Sequence, residues 1–415
     1  MRDEEEELRR EDAESTGRGD AETRGRGEID EYTLTSDSES FIHHSSSSNN
    51  SSRSELDFIR KIRRRALKQI EAQLPASPRP RVSASSRPAT PSSLIPHPSS
   101  LRTGIGDDAA VIRQTSGRDT VITADLLIEE IDFRLAYMPA QLLGHKALAV
   151  SLSDIAAMGA RPRWALVSLG VPPDIWRSSF VDDFYEGFFA LAEEFDVTLV
   201  GGDVSRTPER IVVDSIVMGE TASGGAVLRS GARPGDHIFV TGTLGGAAAG
   251  LKLLEQGAEK VKRASVREVR MIENLIRRHT EPVPRTGWGI FLGEDRLATS
   301  MIDLSDGLSS DLAHICEESG VGARLEAARI PINPNSMKLC GRRALDPLML
   351  ALHGGEDFEL LFTVRPQDIR RLPKRIDGAS VAYIGDITDK AGQILISEGS
   401  HVWDLERGGF EHFSD

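Results

Sequence analysis

The chain has 415 residues, 39% of them hydrophobic and 27% charged, with a formal net charge of −14 at pH 7. That length allows two domains with real cores, and the acidic balance argues against nucleic acid as a partner. No apolar run approaches the ~18 residues of a membrane span, and the acidic N-terminus lacks the apolar stretch of a secretory signal, so the expectation is a cytoplasmic protein with no membrane partner.

The acidity is concentrated at the front. Residues 1–40 hold 15 Asp and Glu against 6 Arg, a net −9. With the Ser/Asn-rich run from Ser45 to Ser52, residues 1–54 read as a disordered tail. Glu55 to Gln73 reads as a helix, with Leu56, Ile59, Ile62, Leu67 and Ile70 at roughly helical spacing and Ser54 as N-cap. Its basic cluster, Lys61 to Arg65, suits a solvated face better than a phosphate patch. Pro75 to Ser100 is rich in Pro, Ser and Arg, so residues 55–100 read as a helix followed by a linker.

The ordered body begins at Leu101. Ala109–Ile112 and Thr120–Ala124 read as strands about a turn at Ser116-Gly117. Gln141–Met158 is a helix apolar on most faces, which implies burial between layers. Trp164–Val171 is a strand, Asp174–Glu194 a single long amphipathic helix, and Val197–Val200 and Ile211–Met218 are strands. After a boundary near Glu220–Gly224 the style repeats. His237–Thr241 is a strand and Gly245–Leu254 a small-residue helix. Further strands lie near Ser300–Ile302, Gly322–Leu325, Glu359–Val364 and Val381–Ile384, with helices between. This alternation predicts an α+β protein with an N-terminal domain over 101–220 and a C-terminal domain over 221–415.

Acidic motifs punctuate this body where an element meets a Gly-rich turn: G-I-G-D-D (104–108), T-A-D (123–125), S-L-S-D (151–154), G-G-D (201–203), D-L-S-D-G (303–307) and G-G-E-D (354–357). Aspartates gathered in one cleft repel each other unless divalent cations stand between them, and Mg²⁺ prefers carboxylate oxygens and brings nucleotide phosphates with it. The pattern predicts a metal-dependent, phosphate-handling enzyme.

The motifs differ in what they carry singly. The GxGDD string fits a tight turn as well as a metal site. Asp154 stands inside an apolar helix, where a carboxylate is costly unless paired or metal-bound. Asp203 is expected to end the strand Val197–Val200, after Gly201-Gly202. Asp303 is expected at a strand end, with Ser305 capping the next helix and Asp306 in its first turn, a place that attracts anions. Glu356 and Asp357 fit a hairpin-like turn equally well. The Gly-rich segment Val240–Gly250 fits close helix packing or phosphate contact. His145 and His314 are helix histidines without catalytic spacing. No GxxxxGK[ST] loop and no strand-to-helix GxGxxG occurs. The two cysteines, Cys316 and Cys340, form neither a CxxC pair nor a Cys/His cluster, which argues against zinc.

Taken in order, G-I-G-D-D-A-A-V, K-A-L-A-V-S-L-S-D-I-A-A-M-G-A, G-G-D, R-S-G-A-R-P-G-D, I-D-L-S-D-G-L and G-G-E-D-F-E-L-L-F resemble the thiamine-monophosphate kinase family. Its superfamily also holds aminoimidazole ribonucleotide synthetase, selenophosphate synthetase and HypE. The resemblance covers roughly Leu101 to Phe413 and the helix at Glu55–Gln73. It implies an N-terminal α/β domain whose mixed sheet pairs across a homodimer and a C-terminal α+β domain. It implies transfer of the ATP γ-phosphoryl group to thiamine monophosphate, giving thiamine diphosphate, with Mg²⁺ as cofactor and ATP as co-substrate. Carried over by position, Asp108, Thr123, Asp125, Asp154, Asp203, Asp303 and Asp306 look like Mg²⁺ ligands, with Asp154, Asp303 and Asp306 central to catalysis. Tyr185, Gly202, Asp203, Arg229 and Ser305 look like ATP contacts, and Glu356 and Phe410 like thiamine-side contacts. The chain departs from the pattern at Ala124 and at Asp132, which stands in place of a substrate-facing His and supplies a carboxylate for a thiamine cation. The alternatives are another synthetase or kinase of this superfamily and a non-catalytic nucleotide-binding relative.

Overall fold

A computed structural model describes residues 55–73, 101–103, 111–257, 265–340 and 345–409 of the chain. Asp107, Asp108 and Phe410 lie outside the described residues, as do the expectations for residues 1–54 and the linker 74–100.

The first helix, α1 (Glu55–Gln73), buries Phe58, Ile62 and Ala66. Two short strands follow, β1 (Leu101–Thr103) and β2 (Val111–Ile112), paired antiparallel. The first large layer contains β3 (Arg118–Ile128), α2 (Ala140–Ala157), β4 (Arg161–Val171), α3 (Pro173–Arg177), α4 (Phe180–Glu194), β5 (Thr198–Arg206) and β6 (Val212–Ala222). Its sheet is mixed, in the order β3-β6-β4-β5, with β4 and β5 parallel and the other pairs antiparallel.

Residues 174–194 do not form one helix. Ser178 is extended, its Oγ donates to the Ile175 carbonyl at 2.7 Å, and Phe180 N donates back to that Oγ at 3.1 Å. A serine that serves the backbone in this way competes with the helical ladder, so α3 stops and α4 restarts. Two strands run further than their apolar cores suggest. β3 continues through Thr123 and Asp125, and β5 continues past Asp203, still paired with β4 as far as Arg206. Asp203 therefore lies within a strand and does not end one. Backbone pairing, unlike side-chain periodicity, is indifferent to the loss of apolar residues there.

The second layer contains β7 (His237–Thr241), α5 (Gly246–Glu255), α6 (Val266–Thr280), α7 (Thr286–Glu294), β8 (Ala298–Asp303), α8 (Leu308–Ser319), β9 (Gly322–Glu326), α9 (Pro334–Cys340) and α10 (Pro347–His353). It ends with β10 (Leu360–Val364), β11 (Arg375–Ile376), β12 (Ala379–Thr388), β13 (Ile394–Glu398) and β14 (His401–Asp404). The sheet runs β14-β13-β9-β12-β7-β10-β8, with β11 on β12. Among the described residues no helix is long and apolar enough to cross a membrane.

Helix α2 is the element that brings the two sheets together. It is apolar almost all round and buries residues along its whole length, as expected of a helix covered on every side. On one side it packs against α4, β3 and β6, and on the other against α7 and β8. The fit to α4 is backbone on backbone: a Cβ at Gly144 would stand 1.9 Å from the Phe184 carbonyl oxygen. The fit to α7 is similar, since a Cβ at Gly289 would stand 2.2 Å from the Ala156 carbonyl oxygen.

Candidate active site

Three hydroxyls tie the acidic motifs to α2. Ser151 Oγ donates to Asp125 Oδ2 on β3 at 2.7 Å. Thr123 on β3 donates to Asp154 on α2. Ser153 Oγ donates to Asp303 Oδ2, at the end of β8, at 2.8 Å. Asp125, Asp154 and Asp303, from three separate elements, are thereby drawn to one junction.

The charges feel one another there. Burial, then the neighbouring Asp154, push the Asp125 carboxyl up to about 6, with Ser151 opposing. Burial also raises Asp154, while Thr123 and Arg229 hold it down. Asp303, 3% exposed, is raised well above the usual carboxylate range by burial first and then by Asp154 and Asp311. Asp311 is pushed up to about 7 by burial and Asp306, against the hydrogen bonds it accepts and the pull of Arg229. Burial is the first cause at all four, and repulsion between neighbouring carboxylates adds to it at Asp125, Asp303 and Asp311.

The loop after β8 differs from the expected cap. Gly307, at φ +120°, is the residue before α8, and Ser305 makes no capping bond. Asp311 does that work from within the helix: its Oδ2 accepts from Asp306 N at 3.2 Å and Gly307 N at 3.0 Å. Asp306 precedes the helix. The 304–306 loop is laced to the segment after α10, since Glu356 N donates to the Ser305 carbonyl at 2.8 Å and Phe358 N to the Leu304 carbonyl at 2.9 Å. That segment leads from a helix into β10 and is not a hairpin. Asp357 in it accepts from Gly245, Gly246 and Ala247 N at 2.6–3.1 Å. The Gly-rich start of α5 thus already holds an anion, the protein's own carboxylate, which answers the phosphate reading of Val240–Gly250.

Glu356 sits between two bases. Lys146 Nζ on α2 lies 2.5 Å from Oε1, and His279 Nδ1 on α6 lies 2.8 Å from Oε2. The His279 contact is off the hydrogen-bonding direction, so that nitrogen remains unsatisfied. Burial would raise the Glu356 carboxyl, but Lys146 and His279 outweigh it and hold it at about 2.

A cavity of about 790 Å³ opens over this junction. Asp125, Asp132, Ser305, Asp306 and Glu356 line it, and Leu127, Met349 and Leu350 add apolar wall. Its size suits a small organic ligand.

Residues 106–221 match the family AIR synthase related protein, N-terminal domain, and residues 233–397 its C-terminal domain. The thiamine-monophosphate kinase of Bacillus subtilis is 37% identical over 320 residues, covering 76% of this chain and 95% of that protein. The chain belongs to the thiamine-monophosphate kinase family. The crystal structure of thiamine-monophosphate kinase from Stenotrophomonas maltophilia superposes with a TM-score of 0.65 at 37% identity, covering 73% of this chain and 92% of that one. A structure of AaThiL complexed with AMPPCP and TMP superposes at 0.62, with 31% identity, covering 72% of this chain and 89% of that one. The two mixed sheets are those of this kinase family's two-domain α+β fold.

Against that family frame, most of the anticipated site residues meet. Thr123, Asp125, Asp154 and Asp303 are joined by α2, Asp306, Ser305, Glu356 and Asp132 line the cavity, and Arg229 acts on Asp154 and Asp311. Asp132 is also engaged locally, accepting from Ile128 N at 2.8 Å. Gly202 and Asp203 lie on the edge strand β5. Gly202, at φ +150°, leaves room for the Val167 carbonyl, which a Cβ would meet at 2.0 Å. Asp203 is exposed there, in register with Ser168 on β4.

Tyr185 does not join this group. It is 5% exposed and packs among Phe58, Phe184, Phe188 and Phe189, so its ring is core. Its hydroxyl is raised by burial. Lys146, His279 and Asp311 join the site without being among the residues the acidic motifs single out. Lys146 carried the same signal as Asp154, a charge inside an apolar helix. His279 and Asp311 carried none, because each is an ordinary polar residue on an amphipathic helix.

Proposed function

We propose that this protein transfers the γ-phosphoryl group of ATP to the phosphate of thiamine monophosphate, giving thiamine diphosphate and ADP. The observation that carries the reading is the junction on α2, where carboxylates from both sheets meet beside one cavity. Family membership and the relative complexed with AMPPCP and TMP support the choice of substrates.

In the transfer, the bond from the γ-phosphorus to the β,γ-bridging oxygen breaks. A bond to an oxygen of the acceptor phosphate forms, and ADP leaves with the electron pair. The acceptor oxygen is already ionised near neutral pH, so no strong general base is required. The barrier is the approach of two anions toward an acidic wall.

The residues fit magnesium. Their donors are carboxylate and hydroxyl oxygens, the hard set that Mg²⁺ prefers, and Asp125 and Asp154 are buried carboxyls whose ionised forms a cation would stabilise. Among the described residues no three of His, Cys, Asp or Glu form a closed cluster. Thr123, Asp125, Asp154, Asp203, Asp303 and Asp306, with Asp108 from outside the described residues, would hold them. When bound, Mg²⁺ supplies the charge neutralisation that lets two phosphates meet. Arg229, Ser305 and Gly202 would contact ATP, while Asp132 and Glu356, with Phe410, would face the permanently cationic thiamine. Lys146 and His279 orient Glu356 for that role.

The same reading takes the molecule as a homodimer of cytoplasmic enzyme. On β3, Thr123 and Asp125 face α2, and the alternate residues Ile122 and Leu126 are 64% and 54% exposed. An apolar sheet face left open in this way is suited to a second copy.

Incubation with Mg-ATP and thiamine monophosphate, followed by separation of the thiamine species, tests the function. Thiamine diphosphate above an ATP-free control is expected, and its absence rejects the reading.

A further inference from the structure

His353 closes α10 and lines the cavity, and its orientation is fixed by a residue that no motif marks. Ser309, 1% exposed on α8, donates through Oγ to the Gly408 carbonyl at 2.8 Å and accepts from Gly408 N at 3.2 Å. His353 Nδ1 lies 2.8 Å from the same Oγ. A serine hydroxyl has one proton, and a carbonyl cannot supply another. The Ser309 proton is committed to Gly408, so His353 Nδ1 must be the donor. In the neutral ring Nε2 is then an acceptor, and it has no partner among the described residues.

The backbone around it is closely set. A Cβ at Gly408 would stand 2.5 Å from His353 Nδ1, and one at Gly409 would stand 2.4 Å from the Asp306 carbonyl oxygen. Gly409 is at φ +152°, a conformation that side chains disfavour. The stretch after β14 is thereby pressed onto both the imidazole and the Asp306 loop. Rotation of the ring would break the Ser309 bond and meet this backbone.

We propose that His353 is a substrate-specificity residue, accepting a hydrogen bond at Nε2 from the exocyclic amino group of the aminopyrimidine of thiamine monophosphate, and that Ser309 is its positioning residue. This rests on the proposed function and deepens it. Met349 and Leu350 line the same cavity as His353 and suit a flat heteroaromatic ring, and Asp125 and Asp306 line it too, for the phosphate chemistry. An amino group is a donor and an imidazole locked as an Nε2 acceptor is its complement. A site built to accept such a bond discriminates strongly against an analogue that lacks the donor.

The test compares wild type with His353→Asn, His353→Gln and Ser309→Ala by calorimetric binding of thiamine monophosphate and by steady-state kinetics. A second ligand is the phosphorylated analogue with a carbonyl in place of the amino group. Asn keeps a donor near the Nδ1 position and loses the Nε2 acceptor, whereas Gln keeps a polar group near Nε2. His353→Asn should weaken thiamine monophosphate about tenfold, leave KM for ATP and the thermal midpoint unchanged, and abolish the preference for the amino ligand over the analogue. His353→Gln should retain binding within about threefold, and Ser309→Ala should fall between. An active wild type whose His353→Asn variant binds and discriminates as wild type does would overturn the assignment and leave the function standing. A wild type that makes no thiamine diphosphate overturns both.

Discussion

Lys146 Nζ, with a side chain that is fully buried on α2, lies 2.5 Å from Glu356 Oε1, the residue that leads into β10 of the other sheet. The pair joins the two layers at the wall of the cavity. It also explains a fully buried Lys on a largely apolar helix: the ammonium is tolerated because a carboxylate from outside the helix meets it.

Removing one partner leaves a buried charge. Lys146→Met should cost roughly 2–4 kcal/mol, the lower end reflecting the 30% exposure of the Glu356 side chain. Glu356→Gln should cost at least as much, because the stranded Lys146 is fully enclosed. The double variant should recover part of the sum. Chemical denaturation of all four proteins provides the cycle, and strict additivity would show that the pair is not coupled.

The acidic junction should trade stability for activity. Asp154 raises the proton affinity of Asp303 and of Asp125 by repulsion. Asp154→Asn removes that repulsion, so the metal-free protein should melt no lower than wild type. Turnover should nevertheless fall by about a hundredfold or more, as it should in Asp306→Asn. Calorimetry beside the kinase assay reads both, and near-wild-type turnover in both variants would count against these residues as metal ligands.

Acid stability should follow Glu359. Its fully buried carboxylate lies 2.5 Å from Arg285 Nε and 2.9 Å from Arg278 Nη2, and these cations outweigh burial to hold it at about 2, below the ordinary 4.5. A carboxyl depressed in the folded state binds fewer protons there than in the unfolded chain. Its contribution is present above about 4.5 and is lost as pH falls from there toward 2. Stability measured across that window should slope less steeply in Glu359→Gln, which will itself be weaker at neutral pH with two arginines left facing a neutral group.

The open face of the first sheet should carry the proposed homodimer, and a wild type that sediments as a monomer would reject it. Ile122→Glu places a charge on an exposed position of β3 away from its α2-facing side, and Ile122, unlike Leu126, is not among the residues lining the cavity. Sedimentation should shift from dimer to monomer with helix and sheet content retained. An unshifted dimer would move the interface elsewhere.

The sequence by itself determined the elements and the identity of the acids. Helix α2 is legible from a pattern apolar on most faces, and Asp125, Asp154 and Asp303 stand out because each interrupts an apolar run or ends one. Those are local signals, carried by residues a few positions apart. Where periodicity ended but pairing did not, as in β5 beyond Val200, the strand was read too short, and the Ser178 break between α3 and α4 was hidden because a serine's choice between solvent and backbone is not written in spacing.

Only the tertiary structure decided who meets whom. Tyr185 belongs to the core because Phe58 of α1, from far upstream, covers it. Asp357 was claimed by the start of α5, Asp311 by the loop before α8, and Glu356 by Lys146 and His279. A buried charge must find a partner, but its sequence fixes only that need. Which partner answers depends on helix and strand packing that brings distant residues within about 3 Å of one another, and no local pattern encodes that distance.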